Sequence, residues 1–171
     1  VLNKPATILK RLEGCVGVLV TAGEEGCAYA FGKHGGRLEA FDVPVVDSTG
    51  AGDAFSAGFL HKTMQLTDAW QIEKVTYEGV DNPLPRAHMP PVQRIAEAFK
   101  DKEMAGEAVV YAAAVAAMTC MEEGAIAAQP SKKIADKFMS VYGEDVLIEE
   151  EKRDFELPDM NADWLKWQFS R

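Results

Sequence analysis

Between Asp47 and Asp53 the sequence reads Asp-Ser-Thr-Gly-Ala-Gly-Asp. Two glycines and an alanine stand just ahead of Ala54–Leu60, where Phe55, Phe59 and then Met64 are spaced as one helical face. Nothing bulky shields the backbone at that point. The first amides of a helix have no acceptor within it, and the helix dipole adds partial positive charge there. Gly50, Ala51 and Gly52 can therefore offer N–H donors to an anion such as a phosphoryl group. Asp53 stands at the same mouth. A carboxylate is a poor ligand for phosphate, which it repels, but it can take a proton from a hydroxyl that attacks phosphorus. The plainer use of the same residues is structural, with Asp47 and Asp53 capping a tight turn.

Such a loop needs a strand before it and a helix behind it. Pro44-Val45-Val46 supplies the expected strand and Ala54 onward the helix. Upstream, the end of a helix is predicted over Ile8–Leu12, closed by Gly14. Val16-Gly17-Val18-Leu19-Val20 is a continuous apolar run of the kind a buried parallel strand takes, ending in the glycine-punctuated turn Thr21–Gly26. Cys27–Phe31 and Leu38–Val43 flank Gly32–Gly36, which predicts a hairpin. Downstream, four prolines interrupt residues 67–106, with a short amphipathic helix at Val92–Phe99. An alanine-rich helix is predicted over Glu107–Glu122, stopped by Gly124. Pro130-Ser131 opens a last helix with Ile134, Phe138 and Val141 on one face. The order of elements predicts an α/β layered fold.

The bulk properties narrow the function. The chain has 171 residues and a formal net charge of −9, with a pI of about 4.8. Its average surface repels a nucleic-acid backbone. Cys15, Cys27 and Cys120 fall in no metal-ligand spacing and are odd in number, which suits a reducing compartment, the cytoplasm or an organelle interior such as a plastid. No apolar run is long enough to span a bilayer. The opening Val-Leu-Asn-Lys-Pro has neither an initiator Met nor a signal-peptide pattern, which points to processing or to an absent part of the gene product. His34, His61 and His88 pair with no Ser or Cys at a catalytic spacing and are expected at the surface.

The run Val46–Phe55 closely resembles the second signature of the ribokinase-like (PfkB-type) carbohydrate kinases. Val20–Ala28 looks like that family's strand and turn on the nucleotide phosphates. Tyr111–Cys120 with Glu123-Gly124-Ala125 looks like its nucleotide-flanking helix and glycine turn, and Pro130-Ser131 like the start of its final helix. The resemblance implies a ribokinase-like layered fold, a parallel sheet flanked by helices with a β-hairpin, of which this chain is the C-terminal portion. It implies that Asp53 is the base that deprotonates a sugar hydroxyl, and that the amides of Gly50, Ala51 and Gly52 form the anion hole. Thr21, Gly23, Gly26, Ala113 and Gly124 are then nucleotide-binding positions. Asp47, Thr49, Thr119 and Gly124 align with a loop that binds a monovalent cation such as K+ in several members. ATP and Mg2+ are the implied cofactors, the Mg2+ arriving with the ATP.

The same comparison marks departures. The family's N-terminal half, which supplies the sugar pocket and a β lid, has no counterpart here, so a second copy or a companion chain is expected to complete the site. Ala113 replaces a polar residue that many members place near the adenine. The expected organisation is a catalytic half over residues 1–142 with an insertion at about 67–106, then an acidic extension over 143–171 ending in Trp164, Trp167 and Phe169. The reading that follows is ATP-dependent phosphorylation of a sugar or related alcohol. The alternative is a kinase-fold subunit kept for assembly, without turnover.

Overall fold

A computed structural model describes residues 5–12, 14–67, 91–143 and 148–150. The chain divides into two compact units. The first is Val1–Ala40 together with Leu147–Arg171, and the second is Phe41–Val146.

The first unit is built on a four-stranded antiparallel sheet in the order β1-β2-β3-β4, with β1 Gly17–Thr21, β2 Cys27–Phe31, β3 His34–Leu38 and β4 Ile148–Glu150. A short helix, α1 (Pro5–Leu9), belongs to the same unit, and Gly14 beyond it takes a φ of 73°. All five residues of β2 are buried, as suits a central strand made of Cys27, Ala28, Tyr29, Ala30 and Phe31. The hairpin is tighter than expected. Phe31 pairs with His34, so the turn is Gly32-Lys33 alone, with Gly32 at a φ of 54°. Two-residue turns of positive φ match the natural twist of paired strands, so Gly35 and Gly36 enter the ladder. His34 is thus a half-buried strand residue and not a turn residue.

The strand expected to be parallel is not. Val18 pairs with Ala30 and Val20 with Ala28 in an antiparallel ladder, and β1 is half-buried along most of its length. The reason is covalent reach. Only Ala22–Gly26 separates the two strands, and a parallel connection needs a crossover of a dozen residues or more. No parallel pair occurs among the described residues. The α/β class holds; its sheet, as described, is antiparallel.

The second unit is helical: α2 Ala51–Leu66, α3 Pro91–Ala98, α4 Lys102–Thr119 and α5 Lys132–Tyr142. Its core lies between α2 and α4. Ala54, Phe55 and Gly58 are buried from α2, and Ala105, Ala108, Val109, Ala112 and Ala114 from α4. Small residues let the two backbones approach closely. A Cβ at Gly58 would stand 3.1 Å from Val115. Phe59 meets Phe99 with ring centroids 5.9 Å apart. The alanine-rich helix starts earlier than its composition suggests, because Asp101 caps it: its Oδ1 accepts the Glu103 amide at 2.8 Å.

On α5 the inward face is turned from the one expected. Ala135, Phe138 and Met139 pack towards Tyr111, Val115 and Met118, whereas Ile134 and Val141 are exposed. Phe138 sets its ring edge against Phe41 at 5.3 Å and lies 4.7 Å from Tyr142. The strand expected at residues 44–46 is absent. Val45 and Val46 are exposed, and Pro44 has no amide to give to a ladder. Residues 68–90 of the insertion, with His88, and the aromatic end at Trp164, Trp167 and Phe169 lie outside the described residues.

Candidate active site

The Asp47–Asp53 segment joins an extended stretch to α2. Gly50 is the residue before the helix, at a φ of 84° that an L side chain adopts only with strain. It has a second reason to be glycine. A Cβ there would lie 3.0 Å from both the side chain and the carbonyl oxygen of Ala125. Gly52 is different. A Cβ at Gly52 would meet nothing within 4 Å, so the backbone at the first turn of α2 is open to an approaching group.

The amides at this turn are not equivalent. The Ala51 N–H donates to the Ser48 carbonyl at 3.2 Å, and the Ala54 N–H closes the first helical turn on Gly50 at 2.8 Å. Gly52 and Asp53, as first-turn residues, have no acceptor within the helix. The Asp53 amide was not singled out from the sequence; it follows once the helix start is fixed at Ala51. The Asp53 side chain is exposed in that turn. Among the described residues it enters none of the recorded ion pairs.

Asp47 faces the other way, into the chain. Its Oδ1 accepts the Thr49 amide at 2.9 Å and its Oδ2 accepts the Gly124 amide at 3.0 Å. Hydrogen bonds from Thr49 and then from Gly124 hold its carboxyl below the usual carboxylate range. The amides of Val46 and Asp47 both donate to the Cys120 carbonyl, at 2.8 and 3.2 Å. Burial, followed by the Asp47 charge, pushes the Cys120 thiol up. The structure therefore brings Asp47, Thr49, Gly50 and Gly124 together, with the Cys120 carbonyl and Ala125 as their partners.

Thr119 and Ala113 lie on α4. Thr119 is fully buried, and its hydroxyl donates to Val115 O at 2.9 Å; Ala113 is half-buried. Gly124 takes a φ of 92° in the turn after α4. The oxygens of the expected cation loop carry hydrogen bonds within the chain. Both Asp47 oxygens accept amides, the Thr119 hydroxyl is committed, and the Gly124 carbonyl accepts the Ala128 amide at 3.1 Å. Among the described residues no three His, Cys, Asp or Glu side chains cluster as metal ligands.

Thr21, Gly23 and Gly26 belong to the first unit. Thr21 ends β1, exposed, and Gly23–Glu25 forms a single 3₁₀ turn closed by Gly26 N–H to Gly23 O at 3.0 Å. Gly26 is required by packing, since a Cβ would collide with the Leu38 carbonyl and the backbone of Glu39 and Ala40. Gly23, at a φ of 57°, has nothing within 4 Å of a Cβ and leaves its backbone open. His61 is not the surface residue expected of it. It is half-buried with its ring stacked on Tyr111, centroids 5.9 Å apart. Burial, then the neighbouring Asp136, raises the Tyr111 hydroxyl above its ordinary range.

Residues 2–76 match the family described as pfkB family carbohydrate kinase. Over 116 residues the chain is 34% identical to a protein named probable fructokinase-6, chloroplastic, of Arabidopsis thaliana, covering 68% of this chain and 23% of that one. It is 38% identical over 63 residues to fructokinase-1 of Zea mays, covering 37% of this chain and 20% of that one. In structure it resembles a fructokinase with bound ATP from Xylella fastidiosa, with a TM-score of 0.61, 24% identity, and coverage of 81% of this chain and 36% of that one. The ribokinase of Giardia lamblia aligns with a TM-score of 0.55 at 19% identity, covering 77% and 34%. The chain thus spans about a quarter of the curated relative at 34% identity and about a third of these solved structures. Nothing in these likenesses supports a companion chain, and no helix among the described residues is long and apolar enough to cross a membrane. Residues 2–76 thus resemble the pfkB family carbohydrate kinases, and the fold resembles part of a ribokinase-like one.

Proposed function

We propose that the protein containing this chain transfers the terminal phosphoryl group of ATP to a hydroxyl of a sugar, with Asp53 as the general base. The observation that carries the reading is the first turn of α2. There an exposed carboxylate stands beside open backbone at Gly52, immediately after a glycine held at positive φ. The sugar hydroxyl gives its proton to Asp53 as its oxygen attacks phosphorus in line. The amides of Gly50, Ala51 and Gly52, with that of Asp53, take the charge that develops on the equatorial oxygens. Because the Ala51 amide already has the Ser48 carbonyl, it contributes least of the four.

Thr21, Gly23, Ala113 and Gly124 are proposed nucleotide positions, and Gly26 serves the fold of its own turn. Mg2+, brought by ATP, would neutralise phosphate charge, and no protein side chain described here is assigned to it. A monovalent cation such as K+ is a proposed occupant of the loop formed by Asp47 and Thr49 with the backbone of Thr119 and Gly124. A hexose such as fructose is the proposed acceptor, since relatives named fructokinase match 116 and 63 residues of this chain. A plastid or cytoplasmic compartment is proposed on the chloroplastic name of one relative and on the three cysteines being free thiols.

The test is sugar-dependent ADP release by the complete protein, before and after Asp53→Asn. Turnover is expected to fall by about three orders of magnitude or more, with ATP affinity kept within a few fold. Undiminished turnover in the variant removes Asp53 from the role. A complete protein that binds no ATP supports instead a kinase fold kept for assembly.

A further inference from the structure

Ser56 Oγ donates to the Gly52 carbonyl at 3.0 Å, one turn back along α2. In a regular helix that oxygen also takes the amide four residues on, so the hydroxyl is a second donor to it. Gly52 C=O and Asp53 N–H are the two ends of one peptide unit. The carbonyl end points down the helix. The N–H end points out of the mouth, where it has no acceptor within α2. Ser56 therefore grips, by its oxygen, the same peptide that offers a donor to an anion and leads into the carboxylate of Asp53. Neighbouring peptides of the turn are held by backbone: the Ala51 amide by the Ser48 carbonyl, and the Gly50 carbonyl by the Ala54 amide.

Stability does not account for the bond. Serine is a poorer helix former than alanine, and a hydroxyl turned back on the carbonyl four residues before it bends a helix slightly. Ser56 is exposed, so packing within the chain does not offset that cost.

We propose that Ser56 is a positioning residue, which orients and polarises the Gly52–Asp53 peptide without touching the reacting groups. The proposal rests on the kinase reading above, with Asp53 as base and the first-turn amides as anion site. A carbonyl that accepts a further hydrogen bond makes the N–H of its own peptide a stronger donor, by about 10–30%. The same bond limits rotation of the peptide plane. It thereby fixes both the direction of the Asp53 N–H and the place of the Asp53 carboxylate. Complete loss of one oxyanion donor costs about 10²–10³ in rate, and a donor that is only weakened and loosened costs less. The expected signature is a modest fall in kcat with ground-state binding kept.

Two substitutions decide it. In the complete protein, Ser56→Ala should melt at the same temperature or higher, since alanine is the better helix former. Its kcat should nevertheless fall about three- to tenfold, with KM for ATP and sugar changed less than about twofold. Ser56→Thr keeps a hydroxyl that reaches the same carbonyl, and should hold kcat within about twofold of the parent. In this chain, the nitrogen chemical shift of the Asp53 amide responds to what its own peptide carbonyl accepts. It should move in Ser56→Ala and stay in Ser56→Thr; an unmoved shift in Ser56→Ala denies the bond itself. Full kcat in Ser56→Ala, in a protein that Asp53→Asn silences, overturns the role of Ser56 and leaves the kinase reading intact. Equal losses in the alanine and threonine variants overturn it too, since the hydroxyl is then not what matters. A loss of kcat that comes with a lower melting temperature makes Ser56 a stabilising residue and ends the proposal. A parent protein whose turnover survives Asp53→Asn, or that shows none, defeats the kinase reading and takes this proposal with it.

Discussion

Asp53, Gly50 and Gly52 were legible in the sequence because their chemistry is local. Glycines at a helix start leave its first amides open, and a carboxylate beside them is in reach of whatever they bind. Asp47 was grouped with Thr49 and Gly124 by resemblance alone, as a cation loop. Its partner Gly124 is remote in the chain, and no local pattern names a hydrogen bond of that span. The two glycines of the loop now separate into different duties, and that yields a prediction. Gly50→Ala should destabilise the protein by about 1–3 kcal/mol, because it adds a side chain at a φ of 84° and presses on Ala125. Gly52→Ala should leave stability equal or slightly raised, since alanine favours a helix and its Cβ meets nothing within 4 Å. If the open backbone takes a phosphoryl group, that methyl should still reduce turnover by about tenfold or more. Thermal melting and initial rates on the same preparations separate the two effects; full activity in Gly52→Ala would remove that backbone from the anion site. A second residue-scale prediction concerns Cys27. Burial pushes its thiol up from 9.0 to about 12. Its neutral form is favoured on folding, so the contribution is present in full below about 9 and is lost as pH climbs from there through about 12. Iodoacetamide at pH 8 should label Cys27 roughly a hundredfold more slowly in the folded than in the urea-unfolded chain, read by mass spectrometry.

At the level of elements, helices were read with the right identity and inexact ends, the hairpin with too long a turn, and β1 with the wrong orientation. The helix α4 begins before its alanine run because Asp101 is a good cap, a signal that was present but was masked by the prolines upstream. Antiparallel β1 was mistaken because a continuous apolar run says only that a strand is covered, not by what. The separation of five residues between β1 and β2 carried the answer. The crossing of α2 and α4 turns on Gly58, whose absent Cβ would sit 3.1 Å from Val115 Cβ and Cγ2 and 3.2 Å from the Ala112 backbone. In an exposed helix, alanine for glycine stabilises by about 1 kcal/mol. Here a β-branched neighbour and a backbone atom must yield, so Gly58→Ala should show none of that gain. Gly58→Leu should cost about 2 kcal/mol or more by forcing the helices apart. Chemical denaturation of the three proteins checks the order; a stabilised Gly58→Ala would mean that the helices move apart freely.

Across the whole chain, segments far apart in sequence meet in one unit. Ile148–Glu150, read from the sequence as part of an acidic extension over 143–171, forms β4 on the edge of β3, with Leu38 opposite Ile148 and Gly36 opposite Glu150. Nothing local announces this. A three-residue strand has no periodicity to detect, and its acidic residues read equally well as a solvated face. Its pairing nevertheless has a physical task. Without it the amides and carbonyls of β3 would form an open edge beside the buried Leu38, and open edges invite pairing with other chains. Replacing the strand by Ile148→Gly, Glu149→Ser and Glu150→Gly removes the side chains and the extended preference but keeps the length. Amide exchange at Gly36–Leu38 should then quicken by about tenfold or more, and the chain should self-associate at concentrations where the parent stays monodisperse in light scattering. The second unit supplies the control. Exchange along α4 from Val109 to Ala114 should be unaltered, because that helix belongs to residues 41–146 and has no part in the sheet. Equal loss of protection in both units would mean that β4 supports the whole chain and not its own sheet alone.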